Sequence, residues 1–158
     1  MSRLCLTLAR LFLSLWVGGA ILFVVTSIAE QKFPGFSQAT KNQLALIRFP
    51  WYYRFGFTLL GGTLVAGHFA RHHADLAGSA RWLVFGLTAA SLAVMAIDYH
   101  WVYEPLAAIV TPSDRAVSSE FERYHQLSKY VNLAHVGIAL VACAILCRPA
   151  RTVASREK

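Results

Sequence analysis

The sequence predicts an all-α fold, a four-helix transmembrane bundle, and three observations point to it. Four apolar runs of membrane-spanning length are almost free of charge. Aromatic and basic residues gather at the ends of those runs rather than inside them. Short polar links with turn residues join one run to the next. Of the 158 residues 56% are apolar and 15% are charged, where a soluble domain carries about 25% charged residues. Charge is excluded from long stretches, as expected when the solvent is hydrocarbon.

The first span is expected over about residues 8–29. Leu11–Ala29 carries no charge and stops at Glu30, long enough to cross ~30 Å of hydrocarbon. Its basic front (Arg3, Arg10) and the small residues before Glu30 also resemble a secretory signal. The apolar core exceeds the ~7–15 residues of a signal core, so a retained helix is expected. Pro34-Gly35 then forms a turn, and Ser37 or Thr40 caps a short interfacial helix over about 38–47. Pro50 opens the second span, about 51–70, where its missing N–H costs little. The aromatic lead-in Phe49–Tyr53 suits the membrane–water boundary.

A polar link with His72, His73 and Asp75 leads to the third span, about 81–103, whose charge-free run ends at Asp98. The next link ends in a capping-box pattern, Ser119 with Glu122. The fourth span, about 122–147, stops at Arg148-Pro149. Residues 148–158 form a basic tail, and 1–158 read as one integral membrane domain without repeats.

The net charge of +7 is spread beside the apolar runs. Lipid headgroups explain that placement, and nucleic acid does not. Placing the N-terminus inside puts Arg3, Arg10, Arg71, Arg81, Arg148, Arg151, Arg156 and Lys158 on the cytoplasmic side. Lys32, Lys41, Arg48, Arg54, Arg115, Arg123 and Lys129 fall on the other, together with most of the acids. The basic tails tip the balance to both termini in the cytoplasm. Cys5, Cys143 and Cys147 form no C-x-x-C pair and read as small apolar filler.

Polar residues fall on two helical stripes. In the fourth span Phe121, His125, Ser128, Asn132 and His135 recur at steps of four and three, one face of a helix. In the third, Thr88, Ser91, Met95, Asp98 and Val102 do the same. Counting ~1.5 Å per residue back from Pro105 and Ser119 puts Asp98 level with His125 to Ser128. Tyr52, Tyr53 and Arg54 open the second span on that side, while Thr26, Ser27 and Glu30 close the first.

Two readings of this seam stand side by side. Buried Ser, Asn and His commonly hydrogen-bond across membrane helices, and Asp98 then pairs with Arg54 or His125, leaving a packing seam with room for a partner or small-ligand site. Alternatively, an ionisable group inside a membrane marks a transport path, with Asp98 and His125 as a titratable pair in a small transporter or channel-like oligomer. A haem-binding redox subunit trails both. His68 and His135 differ in depth by about 9 Å on the helical rise, too far for two axial ligands of one haem. His72, His73 and Asp75 form a weak, solvated loop motif. Neither a catalytic residue, a metal ligand set nor a cofactor is expected, and the chain is read as a non-enzyme. Its expected partners are the bilayer and a second copy or another membrane protein. Ser14-x-x-x-Gly18 and Gly62-x-x-x-Ala66-x-x-x-Ala70 are small-residue tracks that let helices approach closely.

The stretch Phe121–Leu133, "FERYHQLSKYVNL", resembles the signature helix of the transmembrane protein 205-like family, catalogued as domain of unknown function 4149. The likeness lies in an aromatic residue followed by His125, Ser128 and Asn132. Leu15–Phe23, Arg48–Gly56 and His100–Pro105, which holds Glu104, are similar to other stretches of that family. Together they reach from Leu11 to about Leu146. The resemblance implies a multipass membrane protein with four helices and no established activity. It does not extend to Asp98 or His135.

Overall fold

The computed structural model describes residues 2–71, 78–111 and 119–148, and all its regular elements there are helical. The link with His72, His73 and Asp75, the link through Arg115 and the basic tail beyond Arg148 lie outside the described residues. Helix α1 spans Ser2–Lys32, α2 Gln38–Phe69 and α3 Ser79–Asp98. A π-helical turn, Tyr99–Tyr103, joins α3 to α4 (Glu104–Ile109), and α5 runs Ser119–Leu146.

Two boundaries differ from the sequence expectation, both at prolines. The interfacial helix expected over 38–47 is not separate, because α2 runs unbroken through Pro50. Ser37 caps it by accepting the Thr40 N–H at 3.1 Å. Contacts made just before the proline hold the helix in place. Arg48 pairs with Glu30 and donates to Ser27 Oγ at 2.9 Å, and Phe49 packs on Phe23 and Tyr103. These outweigh the loss of one backbone bond.

The third span also runs past Tyr103, to Ile109. Pro105 has no N–H to offer the Trp101 carbonyl, and the Glu104 N–H reaches back five residues to the Tyr99 carbonyl. The chain widens into a π turn instead of stopping, a common answer to an interrupted α ladder.

The long helices alternate in direction, and α1 packs on α2, α2 on α3, α3 on α5, and α5 on α1. The result is a closed up-down-up-down ring. One end holds the start of α1 and the end of α5 (the terminal end); the other holds the turn between α1 and α2 (the far end). Leu13, Trp16, Leu60 and Met95 fill its axis and are fully buried.

Glycines set the closest approaches. A Cβ on Gly56 would stand 2.6 Å from Met95 Sδ and 2.7 Å from the Trp16 ring, and one on Gly62 2.9 Å from Phe12. The track expected at Ser14 and Gly18 is displaced: Gly18 has open space, and Gly19 beside Phe55 is the close contact.

Among the described residues three helical stretches are long and apolar enough to cross a membrane: Arg3–Lys32, Ser79–Ile109 and Ser119–Leu146. Helix α2 has the length but not the mean apolarity. Tyr52, Tyr53, Gly56, Thr63 and Gly67 serve the interior and are among its nine buried residues.

A polar hub joining the helices

The α3 stripe read from sequence is the buried face: Thr88, Ser91, Met95, Asp98 and Val102 are all enclosed. Asp98 lies at its far end with none of its surface exposed. Its Oδ2 accepts from the Tyr53 hydroxyl at 2.6 Å and from Asn132 Nδ2 at 3.1 Å. Those two bonds tie α3 to both of its neighbours.

Asn132 is the centre of the hub. Its Nδ2 stands 2.8 Å from the Ser128 carbonyl and 3.2 Å from Ser128 Oγ. A carbonyl can only accept, so this contact fixes which end of the amide is nitrogen. The amide oxygen then faces α2, where the Tyr52 hydroxyl donates to it at 3.0 Å. His135 Nε2 approaches the same oxygen at 3.1 Å and the Tyr52 hydroxyl at 3.2 Å. Tyr52 has a single proton and directs it to Asn132, so the imidazole contact is attractive only if Nε2 carries its own hydrogen. The geometry therefore selects the Nε2–H tautomer, with the lone pair on Nδ1.

The remaining contacts close the ring. Ser91 Oγ donates to the His135 backbone carbonyl at 3.0 Å, a second tie from α3 to α5. Trp16 of α1 stacks on the His135 ring, centroids 5.9 Å apart and planes 18° from parallel. Tyr52 lies against Phe23, Phe49 and Tyr53, and Tyr53 against Tyr99 and Tyr103. All four long helices thus meet through a handful of side chains. The Tyr52 bonds are notable because they cross the diagonal of the ring, from α2 to α5.

Of the residues expected at the site, Tyr53, Asp98, Ser128 and Asn132 come together. The other three do not. His125 stacks on Phe121, with centroids 5.6 Å apart, whereas the donors to Asp98 are Tyr53 and Asn132. Arg54 is exposed and lies over the Trp51 ring at 5.1 Å, so it is not the partner of Asp98 either. Glu104 is exposed and pairs with His100 at 3.2 Å. The register is offset by about one turn: Asp98 meets Asn132, not His125. The count from Pro105 placed the end of the helix too early, because the chain continues helically to Ile109.

Tyr52, His135 and Trp16 are the members whose role sequence did not reveal. His135 sat on the α5 stripe without a partner. Its partner comes from the diagonal helix, which level-counting between neighbours does not reach.

Three buried polar atoms of the hub have no hydrogen-bond partner: Asp98 Oδ1, His135 Nδ1 and Trp16 Nε1. Among the described residues no three His, Cys, Asp or Glu side chains converge as a metal site. A cavity of about 10 Å³ lies toward the terminal end, lined in part by Thr63, Phe85 and Thr88, and none of its walls belongs to the hub. His68 stands beside Arg71 at the terminal end, far from His135 in the hub. Comparisons with protein-family models, curated proteins and solved structures return no match.

Proposed function

We propose that the chain is a four-span, non-catalytic integral membrane protein and that the hub locks its helices in register. The observation that carries this reading is the closure of the hub. Asp98 and His135 have no exposed surface, and their bonds tie three helices directly, with Trp16 adding the fourth.

The outer surface supports the membrane assignment for all four long helices. Leu22, Val65, Trp82, Trp101 and Leu133 are each at least 60% exposed, an apolar exterior that water would penalise. Marker residues on each helix are separated by one bilayer thickness: Arg10 and Glu30, Trp51 and Phe69, Trp82 and Trp101, Tyr130 and Arg148. At ~1.5 Å per residue these pairs span about 27–30 Å. The Tyr53–Asp98 and Tyr52–Asn132 bonds bring Trp51, Trp101 and Tyr130 into one band, as an interfacial aromatic belt requires. The hub then lies just inside the hydrocarbon at the far end. On this reading α2 crosses despite its polar content because Tyr52, Tyr53, Gly56, Thr63 and Gly67 face protein.

Charge supports an orientation. Among the described residues the charged groups at the terminal end are Arg3, Arg10, Arg71, Arg81 and Arg148, with no acid. The far end mixes Lys and Arg with Glu30, Glu104, Glu120 and Glu122. Acids weigh little in orientation, so it is the basic tail of the sequence, with Arg151, Arg156 and Lys158, that tips the terminal end to the cytoplasm. The same reading agrees with the likeness of Phe121–Leu133 to the transmembrane protein 205-like family, and membership in that family is part of the proposal.

The transport alternative has one observation in its favour, the unpartnered Asp98 Oδ1 and His135 Nδ1. Its pair is then Asp98 with His135 rather than with His125. Proteoliposomes holding wild type and Asp98→Asn separate the two readings. A lock expects neither protein to carry a pH-dependent flux. A wild-type flux that Asp98→Asn abolishes would establish transport instead.

A further inference from the structure

Helix α2 carries a charge on its outer side. Arg54 is exposed, follows Tyr53 of the hub and stands about one turn deeper than Trp51. Its guanidinium lies over the Trp51 ring at 5.1 Å. The carboxylates that make ion pairs at this end, Glu30 and Glu104, are held by Arg48 and His100. A cation on a lipid-facing surface is costly at the edge of the hydrocarbon, and a carboxylate brought to it from another chain lowers that cost.

Charge also selects the partner. Copies inserted the same way share the depth of every residue, so a second copy offers its own exposed Glu104 at a fixed level. Counting ~1.5 Å per residue from the belt of Trp51 and Trp101, Arg54 lies about 4.5 Å inside it and Glu104 about 4.5 Å outside. Arg54 already turns back over Trp51 and closes part of that gap. Packing α2 on α2 of the second copy would set Arg54 against Arg54, whereas packing α2 on α3 sets opposite charges together. The shape of both exteriors agrees. Thr58 is exposed with its hydroxyl turned onto the Arg54 carbonyl, and a Cβ on Gly61 would meet nothing within 4 Å. At the same depth α3 exposes Ala90 and Ala93, whereas α1 and α5 carry Leu15, Leu22, Leu133 and Leu140 outside. Small side chains there let helices of two chains approach closely.

We propose that the outer face of α2 docks on α3 of a second copy of this chain, with Arg54 of one copy paired with Glu104 of the other. The interface rests on the four-span reading and goes beyond it by naming the helices, the charge pair and the partner.

The test is energy transfer between full-length copies labelled separately at the N-terminus with donor and acceptor dyes and diluted into phosphatidylcholine vesicles. The wild type is expected to show transfer that unlabelled wild type competes away. Arg54→Glu alone and Glu104→Arg alone are each expected to weaken association about tenfold. Mixing these two variants is expected to restore it, because each supplies the charge that the other has lost. That recovery also shows both variants to be folded. The milder Arg54→Gln is expected to weaken association by a smaller factor. Absence of transfer in the wild type overturns the second copy as occupant, as when Arg54 is satisfied by headgroups or by another protein. Transfer that survives Arg54→Gln and Arg54→Glu alike overturns the charge pair, and so does a mixture of vesicle-bound variants that fails to recover it. Flotation of the same vesicles keeps the two readings apart. A chain that floats with the lipid without transfer sinks only this interface, and a chain that stays behind sinks the membrane reading.

Discussion

Replacing Asn132 by leucine is the sharpest perturbation of the hub, because the side chain is of similar size and only its polarity is lost. Two interhelical bonds disappear, one to Asp98 Oδ2 and one from the Tyr52 hydroxyl. At about 0.6 kcal/mol for an average interhelical hydrogen bond in a membrane, they account for ~1.2 kcal/mol. The groups left behind add to this. Asp98 keeps only Tyr53 as a donor, and the phenol of Tyr52 must turn to His135. An unmet buried polar group costs about 1–3 kcal/mol, which sets the upper end. Partial repair between Tyr52 and His135 holds the expected loss to about 2 kcal/mol. Reversible unfolding of the purified chain in mixed micelles, followed by tryptophan fluorescence, measures it. Leu133→Ala, on the exposed face beside it, is the control. A loss below about 0.5 kcal/mol for Asn132→Leu, the size of an ordinary surface effect, would refute the lock.

Other variants probe separate parts of the reasoning by the same unfolding measurement. Tyr53→Phe and Tyr52→Phe should each cost about 1–2 kcal/mol, since each hydroxyl is bonded in the hub. His125→Ala should stay within about 0.5 kcal/mol, because His125 lies outside the hub. Gly56→Val forces atoms against Met95 and Trp16 and should cost about 1–3 kcal/mol or more. Gly61→Ala meets nothing within 4 Å and should stabilise the chain by roughly 0.5–1 kcal/mol through helix propensity. Equal effects of the two glycine substitutions would contradict the packing described. Glu30→Gln should cost less than about 1 kcal/mol, because its pair with Arg48 is partly open to solvent.

The α3 stripe was legible because polar residues in an apolar helix have one place to go, and their spacing named the face. The α5 stripe named Ser128 and Asn132 for the same reason. Prolines limited the rest. Pro50 reads as a helix start, yet the Arg48 clamp and the Phe49 stack carry α2 through it. Pro105 reads as a helix end, yet a π turn absorbs it and shifts the pairing of α3 with α5 by a turn. The sequence favours His125 over His135 through that shift and through the likeness of Phe121–Leu133, which does not extend to His135. The tautomer of His135 and the orientation of Asn132 were beyond the sequence, since both follow from distances between side chains on different helices.

Helix α2 decides the matter most directly, since it has the length of a span without the apolarity of the other three. Single cysteines at Phe36 and Arg71, in a background lacking Cys5, Cys143 and Cys147, bracket it. Labelling in sealed vesicles with a membrane-impermeant maleimide reports the side on which each stands. Four spans joined through the hub require the two positions to react from opposite sides, with Arg71 on the side of the termini. Reaction of both from one side would contradict the crossing and, with it, the bundle.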